Sequence, residues 1–289
     1  MTDGVLVIDK PSGMTSHDVV DEIRKRFSVK RVGHAGTLDP DATGILVVAL
    51  GKATKLLPFA TASDKSYTAD ARFGITTTTQ DASGEVLDRN DPSTLTEEDV
   101  ARAMGSLRAD IEQIPPMVSA VRIGGERLYR KARRGEEVER RPRKVHVKRF
   151  EMTRFRPGAE ANASFQITCS AGTYVRTLIH DLGAAVGCGA HMTRLRRTAT
   201  SGFSEEDAVA LADVTAAHVR RPIEMVRSLP GLEATEEMAG LIADGRALPA
   251  PQDLPVEDGA PVAIVDGDEV LAIYARRGAE LRAKRVIPR

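Results

Sequence analysis

The 289-residue chain has no tryptophan, only two cysteines and an aromatic content of 4%. Cys169 and Cys188 are too few for a disulfide framework and lack the paired spacing of a zinc site, so both are expected to be buried thiols in a reducing compartment. No apolar stretch approaches the roughly 18 residues that span a bilayer. Asp3 and Asp9, around a short apolar run, are not typical of a signal peptide. We therefore expect a soluble cytoplasmic protein without a membrane partner.

The sequence motifs of common metal and cofactor enzymes are also absent. The sequence contains no HExxH, CxxC or GxSxG motif and no dinucleotide-binding fingerprint. Three histidines, His34, His180 and His191, lie too far apart along the chain to argue for a metal site. The sequence therefore predicts a protein that uses neither a metal nor an organic cofactor.

The formal net charge is zero, but the charges are unevenly distributed. Residues 122–156 contain fourteen Lys/Arg against five Glu, a balance of +9, whereas residues 204–269 contain four Arg against fifteen Asp/Glu, a balance of −11. The last fourteen residues return to +5, with six Lys/Arg against one Glu. Such segregation favours a basic surface for a polyanion, in particular a nucleic acid, although solvated helix faces and loops would give the same pattern.

Hydrophobic patterning predicts an α+β protein in two parts. Helices are expected after the capping residues Thr15 or Ser16, Thr96, Thr173 and Ser204. From about residue 231 the chain has the pattern of a small β-rich module, so we divide it into 1–230 and 231–289. Strands are predicted at Val5–Ile8, Ile45–Leu50, Lys65–Phe73, Val145–Met152, Ser164–Cys169, Met192–Thr198, Val262–Val265, Glu269–Tyr274 and Leu281–Val286.

A polar loop with three glycines, residues 32–44, precedes the apolar run Ile45–Leu50. Asp39 stands before a proline, which disfavours the α region for Asp39 and holds its short carboxylate stiffly beside a buried element. The common interpretation of such an Asp-Pro pair is a helix cap or an ordinary turn. Spacing alone favours that interpretation over a catalytic role.

Six stretches, taken together and in order, resemble the TruB family of bacterial tRNA pseudouridine-55 synthases. The resemblance covers roughly residues 4 to 200 and implies the pseudouridine synthase fold, with a mixed, largely antiparallel central sheet flanked by helices and loops. The stretches are Lys10–Ser16, Gly33–Gly44, Lys65–Tyr67, Gln113–Ala120, Gly172–Thr177 and Leu195–Arg197.

The family's activity is the isomerisation of uridine to pseudouridine in the T-loop of tRNA, without a cofactor. The resemblance implies that Asp39 is the essential carboxylate, that Arg176 pairs with it, and that Tyr67 stacks on the base and can act as a proton acceptor. Tyr174 and Leu195 would line the pocket. Whether Asp39 attacks C1′, adds to C6 or removes a sugar proton is left open by the sequence. We expect Arg176, Tyr67 and Leu195 to converge on Asp39.

The target base must leave its stack to react, and the resemblance implies that His34 enters the space it vacates. Residues 121–148 correspond to the family's basic insertion, in which Arg133 and Arg134 are expected to contact RNA. Lys10 beside its glycine turn and Arg196 on an alternating basic strand are further expected substrate-binding residues. The C-terminal module corresponds to a PUA-like RNA-binding domain, and the protein is expected to act as a monomer without an obligate protein partner.

Two other functions remain open from the sequence. One is a guide-RNA-dependent pseudouridine synthase, which shares the Asp39 loop; the absence of lysine-rich extensions argues against it. The other is a non-catalytic factor that binds and folds tRNA with the same surface.

Overall fold

A computed structural model describes residues 3–119, 122–123, 125–128, 134, 136 and 138–287. The α-helices are α1 (Ser16–Phe27), α2 (Leu57–Thr61), α3 (Glu97–Met104), α4 (Val175–Ala185) and α5 (Glu236–Ala243). The strands are β1 (Gly4–Lys10), β2 (Val32–His34), β3 (Thr43–Leu50), β4 (Lys65–Phe73), β5 (Ile75–Thr77), β6 (Val86–Arg89), β7 (Ala109–Gln113), β8 (Arg122–Ile123), β9 (Glu126–Arg127), β10 (Arg143–Arg156), β11 (Asn162–Cys169), β12 (Ala190–Thr200), β13 (Phe203–Ser204), β14 (Val209–Ala210), β15 (Gly231–Glu233), β16 (Leu248–Pro249), β17 (Pro261–Asp266), β18 (Glu269–Arg277) and β19 (Glu280–Val286). None of the described helices is both long and apolar enough to cross a membrane.

Two compact units divide the chain. The first unit contains residues 1–63 and 199–289, and the second contains residues 64–198. The first unit is therefore built from two separate stretches of sequence, whereas the second is continuous. The boundary predicted near residue 230 rests on a change in sequence composition, whereas these two units are defined by their compactness. That boundary stays a prediction.

In the first unit, β1 pairs with β3 in antiparallel register from Gly4 opposite Leu50 to Lys10 opposite Gly44. β14 adds to β1 in parallel, and β2 adds to β3 in antiparallel orientation. The side chains of both central strands are almost completely buried, which explains their continuous apolar sequence. Helix α1 packs Val19 and Ile23 against this sheet.

The C-terminal residues of the first unit form a separate five-stranded sheet in the order β15-β17-β18-β19-β16. Its own core includes Val262, Tyr274 and Leu281. A second cluster joins Ala263 and Ile273 of this sheet to strands β1 and β3 and their neighbours. The predicted β-rich C-terminal segment is thus confirmed as a sheet, and it shares a core with the amino-terminal strands.

The second unit contains the strand order β12-β4-β11-β10-β7, in which the pairs β4–β11, β11–β10 and β10–β7 are antiparallel. Strand β4 alternates buried and partly exposed residues, as its sequence predicts. β5 and β6 form a hairpin beside this sheet. Across both units the predicted α+β class with a mixed, largely antiparallel sheet is confirmed.

The predicted helix caps are confirmed at two positions and wrong at a third. Thr15 and Thr96 each form a capping box, with Asp18 and Asp99 respectively. Thr173 does not cap α4, because its hydroxyl donates to the Ser170 carbonyl at 2.9 Å and the helix begins two residues later. Ser204 caps only a single 3-10 turn, Glu205–Asp207, instead of a longer helix.

Candidate active site

Asp39 lies in a turn of the first unit. Its carbonyl oxygen accepts a hydrogen bond from the Ala42 N–H at 3.1 Å, with Pro40 at the second position of the turn. Strand β3 then begins at Thr43, so no helix follows. Of the two ordinary interpretations of Asp-Pro, the turn is observed and the helix cap is wrong. The Asp39 residue is partly buried.

Lys10 fixes this turn through hydrogen bonds to backbone carbonyls. Its Nζ atom donates to the carbonyl oxygens of Pro11 at 2.8 Å, Met14 at 2.6 Å and Pro40 at 2.9 Å. The Gly13 N–H donates to the same Pro40 oxygen at 3.0 Å. Lys10 is completely buried, so its ammonium group replaces lost hydration with three backbone dipoles. The Lys10–Ser16 stretch is thereby tied to the residue that follows Asp39.

Ser16 fixes the residue that precedes Asp39. Its hydroxyl accepts from the Leu38 N–H at 2.9 Å and lies 3.2 Å from the Leu38 carbonyl oxygen, to which it donates. Both Ser16 and Leu38 are buried. The backbone on each side of Asp39 is therefore held by side chains of one short segment. His34, at the end of β2, contacts the ring of His17 edge-on, with 5.4 Å between ring centroids.

Arg176 occupies the first turn of α4 in the second unit, as predicted, with its side chain 4% exposed. Its Nη1 donates to the Thr79 carbonyl at 3.0 Å and to Asp81 Oδ2 at 3.2 Å, and its Nη2 donates to the Val118 carbonyl at 2.9 Å. Asp81 is not among the site residues predicted from the sequence. It stands 95 residues from Arg176 in a polar, threonine-rich loop, and no local pattern relates the two.

Asp81 is itself fixed by its neighbours in the loop. Its Oδ1 accepts from Thr79 Oγ1 at 2.6 Å, Ser83 Oγ at 2.6 Å and the Ser83 N–H at 3.0 Å. Gln80 between them has a φ of +64°, which bends the loop toward Arg176 and brings its side chain to Thr177. The carboxylate that faces Arg176 therefore has one oxygen held by the loop and the other directed at the guanidinium group.

Tyr67 lies on the buried face of β4, opposite Ile167 of β11. Arg197 of β12 is fully buried; burial lowers the pKa of its guanidinium group, and the charge and hydrogen bonding of Tyr67 oppose this shift. Lys65 lies on the same face, and burial together with the charge of Arg197 lowers the pKa of its ammonium group from 10.5 to about 8. Burial raises the pKa of the Cys169 thiol, opposite Lys65, to about 11.

The other predicted site residues that the structure describes lie on different elements of the second unit. Tyr174 is half-buried and its backbone is tied to the Gln113 side chain, with the Tyr174 N–H donating to Oε1 at 3.0 Å. On β12, Leu195 is buried and Arg196 is half-buried. Arg134 is exposed and makes a two-pronged pair with Glu126 at 2.7 and 2.9 Å. It also contacts Glu136 at 2.7 Å.

Lys10, His34 and Asp39 thus belong to the first unit, and Tyr67, Arg134, Tyr174, Arg176, Leu195 and Arg196 to the second. Arg133 lies outside the described residues. The expected convergence of Arg176, Tyr67 and Leu195 on Asp39 stays a prediction. Among the residues that the structure describes, no group of three or more His, Cys, Asp or Glu side chains is placed to hold a metal ion.

Two family models match this chain. Residues 24–175 match the TruB family pseudouridylate synthase N-terminal domain, and residues 176–228 match the tRNA pseudouridylate synthase B C-terminal domain. A protein of Symbiobacterium thermophilum named tRNA pseudouridine synthase B is 47% identical over 245 residues, 85% of this chain and 80% of the relative. A protein of the same name from Streptococcus thermophilus is 41% identical over 298 residues, 99% of each chain.

Solved structures show the same fold. A chain in the structure titled "Crystal Structure of a Cbf5-Nop10-Gar1 Complex" matches with a TM-score of 0.77 and 27% identity, covering 99% of this chain and 85% of the other. A chain in an H/ACA RNP bound to a substrate RNA containing 2′-deoxyuridine gives a TM-score of 0.75 at 25% identity, with the same coverage. These matches extend over both units.

Proposed function

The chain belongs to the TruB family of pseudouridylate synthases, and we propose that it isomerises uridine-55 in the T-loop of tRNA to pseudouridine, with Asp39 as the essential carboxylate. The observation that carries the assignment of Asp39 is the turn that presents it. Lys10 and Ser16 hold the backbone on both sides of Asp39 through buried hydrogen bonds. Such a fixed carboxylate is what a reaction at a single sugar carbon requires.

The reaction breaks the N1–C1′ bond, turns the base and joins C5 to C1′. The proton at C5 leaves and N1 gains a proton, so the reaction consumes neither water nor a redox equivalent. No second carboxylate is then needed to activate water, in contrast to inverting glycosidases. Attack at C1′, addition to C6 and removal of a sugar proton are three routes open to Asp39, and each depends on the rigid turn.

The resemblance assigns Arg176 as the ionic partner of Asp39 and Tyr67 as the residue that stacks on the base, and both assignments are part of the proposal. The buried position of Arg176 beside Asp81 supports a fixed guanidinium group in this role. The burial of the Tyr67 side chain on β4 supports a fixed ring. Lys10, first expected to bind substrate, is here assigned to holding the Asp39 turn, because its described hydrogen bonds go to backbone carbonyls.

RNA contacts complete the proposal. His34 would fill the space left by the flipped base, Tyr174 and Leu195 would line the pocket, and Arg196 with Arg133 and Arg134 would contact phosphates. The C-terminal module 231–289 would act as a PUA-like RNA-binding domain, and the enzyme would work in the cytoplasm as a monomer. The names and 41–47% identity of the bacterial relatives favour tRNA modification over a guide-RNA-dependent reaction.

The test is to incubate the purified protein alone with an unmodified tRNA transcript and to map pseudouridine in the product. We expect pseudouridine at position 55 and release of tritium from 5-tritiated uridine. Asp39→Asn and Asp39→Ala should retain tRNA binding and lose at least about 10³-fold in rate. Asp41→Asn, an exposed carboxylate of the same turn, is the matched control and should keep its activity.

Three outcomes would contradict the proposal. Full turnover by Asp39→Asn would show that Asp39 is not the essential carboxylate. Product formed only after a guide RNA is added would favour the guide-dependent reaction. Tight tRNA binding without any pseudouridine would indicate a folding factor.

A further inference from the structure

His34, which the proposed function places in the space left by the flipped base, ends strand β2 of the first unit. In the sheet register it lies opposite Val48 of β3. The next residue, Ala35, donates its N–H to the Val47 carbonyl at 2.9 Å. These contacts fix the backbone at His34. They leave open the rotation of its imidazole about the side-chain bonds, which depends on contacts with the ring itself.

The ring of His17, on α1, makes such a contact. The two ring centroids are 5.4 Å apart and the ring planes are inclined by 77°, so one ring presents its edge to the face of the other. Aromatic pairs favour this arrangement, because the ring edge carries partial positive charge and the ring face partial negative charge. His34 is half-buried and His17 is exposed. The contact therefore restricts how the His34 imidazole can rotate.

The same turn of α1 supports the loop of the proposed catalytic carboxylate. Ser16, the residue before His17, exchanges hydrogen bonds with the Leu38 backbone at 2.9 and 3.2 Å. A capping box at Thr15 fixes the start of the helix. The first turn of α1 thus contacts the carboxylate loop through one residue and the ring of His34 through the next.

We propose that His17 is a positioning residue for the reaction: its ring holds the His34 imidazole in the orientation in which His34 takes the place of the flipped base. This inference rests on the proposed function, which gives His34 that role. His17 acts here through its ring and not through a charge. This separates it from an exposed histidine that contacts an RNA phosphate directly.

Two substitutions of His17 separate these roles. His17→Ala removes the ring, whereas His17→Phe keeps a ring that cannot donate to a phosphate. Alanine is the most favourable residue in a helix, so the first turn of α1 is retained. Single-turnover rates are measured at saturating tRNA. We expect His17→Ala to lower the rate about threefold to tenfold, the range for loss of one aromatic pair, and His17→Phe to stay within about twofold of the wild type.

A double-mutant cycle shows whether His17 acts through His34. In the His34→Ala background, His17→Ala should lower the rate by less than about twofold. If that background is too slow to measure, the comparison of His17→Ala with His17→Phe still distinguishes a ring contact from a phosphate contact. Asp21→Ala, at an exposed position one turn further along the same face of α1, is the matched control and should keep the wild-type rate.

NMR relaxation of the histidine rings reports the positioning in the protein without RNA. The chain has six histidines, so ¹³Cε1-labelled histidine gives six signals, and His34→Ala identifies that of His34. His17→Ala should increase the amplitude of the picosecond-to-nanosecond motion of the His34 ring. His17→Phe and Asp21→Ala should leave this motion unchanged.

An unchanged rate in His17→Ala, or unchanged motion of the His34 ring in that variant, would overturn the proposal. Multiplicative losses in the cycle would do the same, and a loss in His17→Phe equal to that in His17→Ala would indicate a direct phosphate contact instead. Failure of the proposed function is recognised separately. In that case the wild type forms no pseudouridine from tRNA and the role in the reaction is excluded, whereas the NMR measurement still reports whether His17 restrains the His34 ring.

Discussion

The two units hold their buried cations in different ways. In the first unit, Lys10 donates to three backbone carbonyls and so fixes the path of the chain around Asp39. In the second unit, Arg176 pairs with the Asp81 carboxylate, in addition to donating to the carbonyls of Thr79 and Val118. A cation that donates to several backbone carbonyls determines the path of a loop. A cation that pairs with a charged side chain determines how the two functional groups are oriented.

The difference also predicts which property each substitution should change. Removal of a cation that donates to several backbone carbonyls should mainly reduce the free energy of unfolding, because several acceptors lose their donor together. Removal of a partner from a side-chain pair should instead affect the orientation and charge of the remaining group.

The largest effect is expected for Lys10→Met. The substitution leaves the carbonyls of Pro11, Met14 and Pro40 without their shared donor in a buried place, and each lost contact of this kind costs about 1 to 3 kcal/mol. We expect the free energy of unfolding, measured by urea denaturation, to fall by about 3 to 5 kcal/mol. Lys52→Met, an exposed lysine of the same unit, should change it little. A loss for Lys10→Met no larger than that of the control would contradict the backbone role.

Asp81→Asn should have the next largest effect, and on the rate more than on tRNA binding. The amide can still accept from Thr79 and Ser83, but it no longer neutralises Arg176. We expect a loss of about 2 to 3 kcal/mol in transition-state stabilisation, seen as a 30- to 150-fold slower single turnover. Asp88→Asn, in an exposed position of the adjacent hairpin, is the control. Equal rates for Asp81→Asn and wild type would show that the reaction does not need the Asp81 charge beside Arg176.

Lys65→Met should change how stability depends on pH. The folded pKa of Lys65 is about 8, below the ordinary 10.5, so between these values the unfolded chain binds more protons and stability rises with pH. Below pH 8 the buried charge destabilises the fold in full. We expect the wild type to gain about 2 kcal/mol over Lys65→Met between pH 7.5 and 9.5.

Urea denaturation of both proteins at the two pH values measures this difference. Both proteins keep Cys169, whose raised pKa of about 11 acts in the opposite direction above pH 9. A difference that is constant with pH would show that Lys65 is not neutralised in this range.

The smallest effect is expected at the exposed pairs of the basic insertion. Arg134 contacts Glu126 and Glu136 at the surface, where such pairs contribute little to stability. Replacement of Arg133 and Arg134 by Glu should leave the fold unchanged and weaken tRNA binding about three- to tenfold at low salt. The dependence of affinity on salt should become shallower as well. Filter binding between 50 and 200 mM salt measures both, and unchanged low-salt affinity would exclude this part of the insertion from the RNA contact.

Local sequence predicted the elements well where the pattern and the packing agree. The capping boxes at Thr15 and Thr96 and the alternating strand β4 depend on residues within a few positions of one another, and all three are observed. Thr173 failed as a cap because its hydroxyl donates to the Ser170 carbonyl, while Gln113, 61 residues from Tyr174, binds the backbone at the start of the helix. No local pattern contains that competing contact.

The candidate site shows the same limit. The resemblance identified Asp39, Tyr67 and Arg176, but their supporting residues are distant in sequence. Lys10 and Pro40 are 30 residues apart, and Asp81 and Arg176 are 95 apart. Burial of Lys10 and Arg197 could not be predicted either, because lysine and arginine are usually exposed.

The division of the chain into a continuous unit and a discontinuous one has a consequence for folding during synthesis. Residues 64–198 are complete as soon as they emerge, and strands β4, β11, β10 and β7 pair with one another within that stretch. Residues 3–63 must wait for β14 and the C-terminal strands, which supply the parallel partner of β1 and part of its core. Since domains generally fold as units while the chain is made, we expect the second unit to form first. The Asp39 turn, although it precedes the second unit in the sequence, would become rigid only after β14 and the strands that follow it have been made.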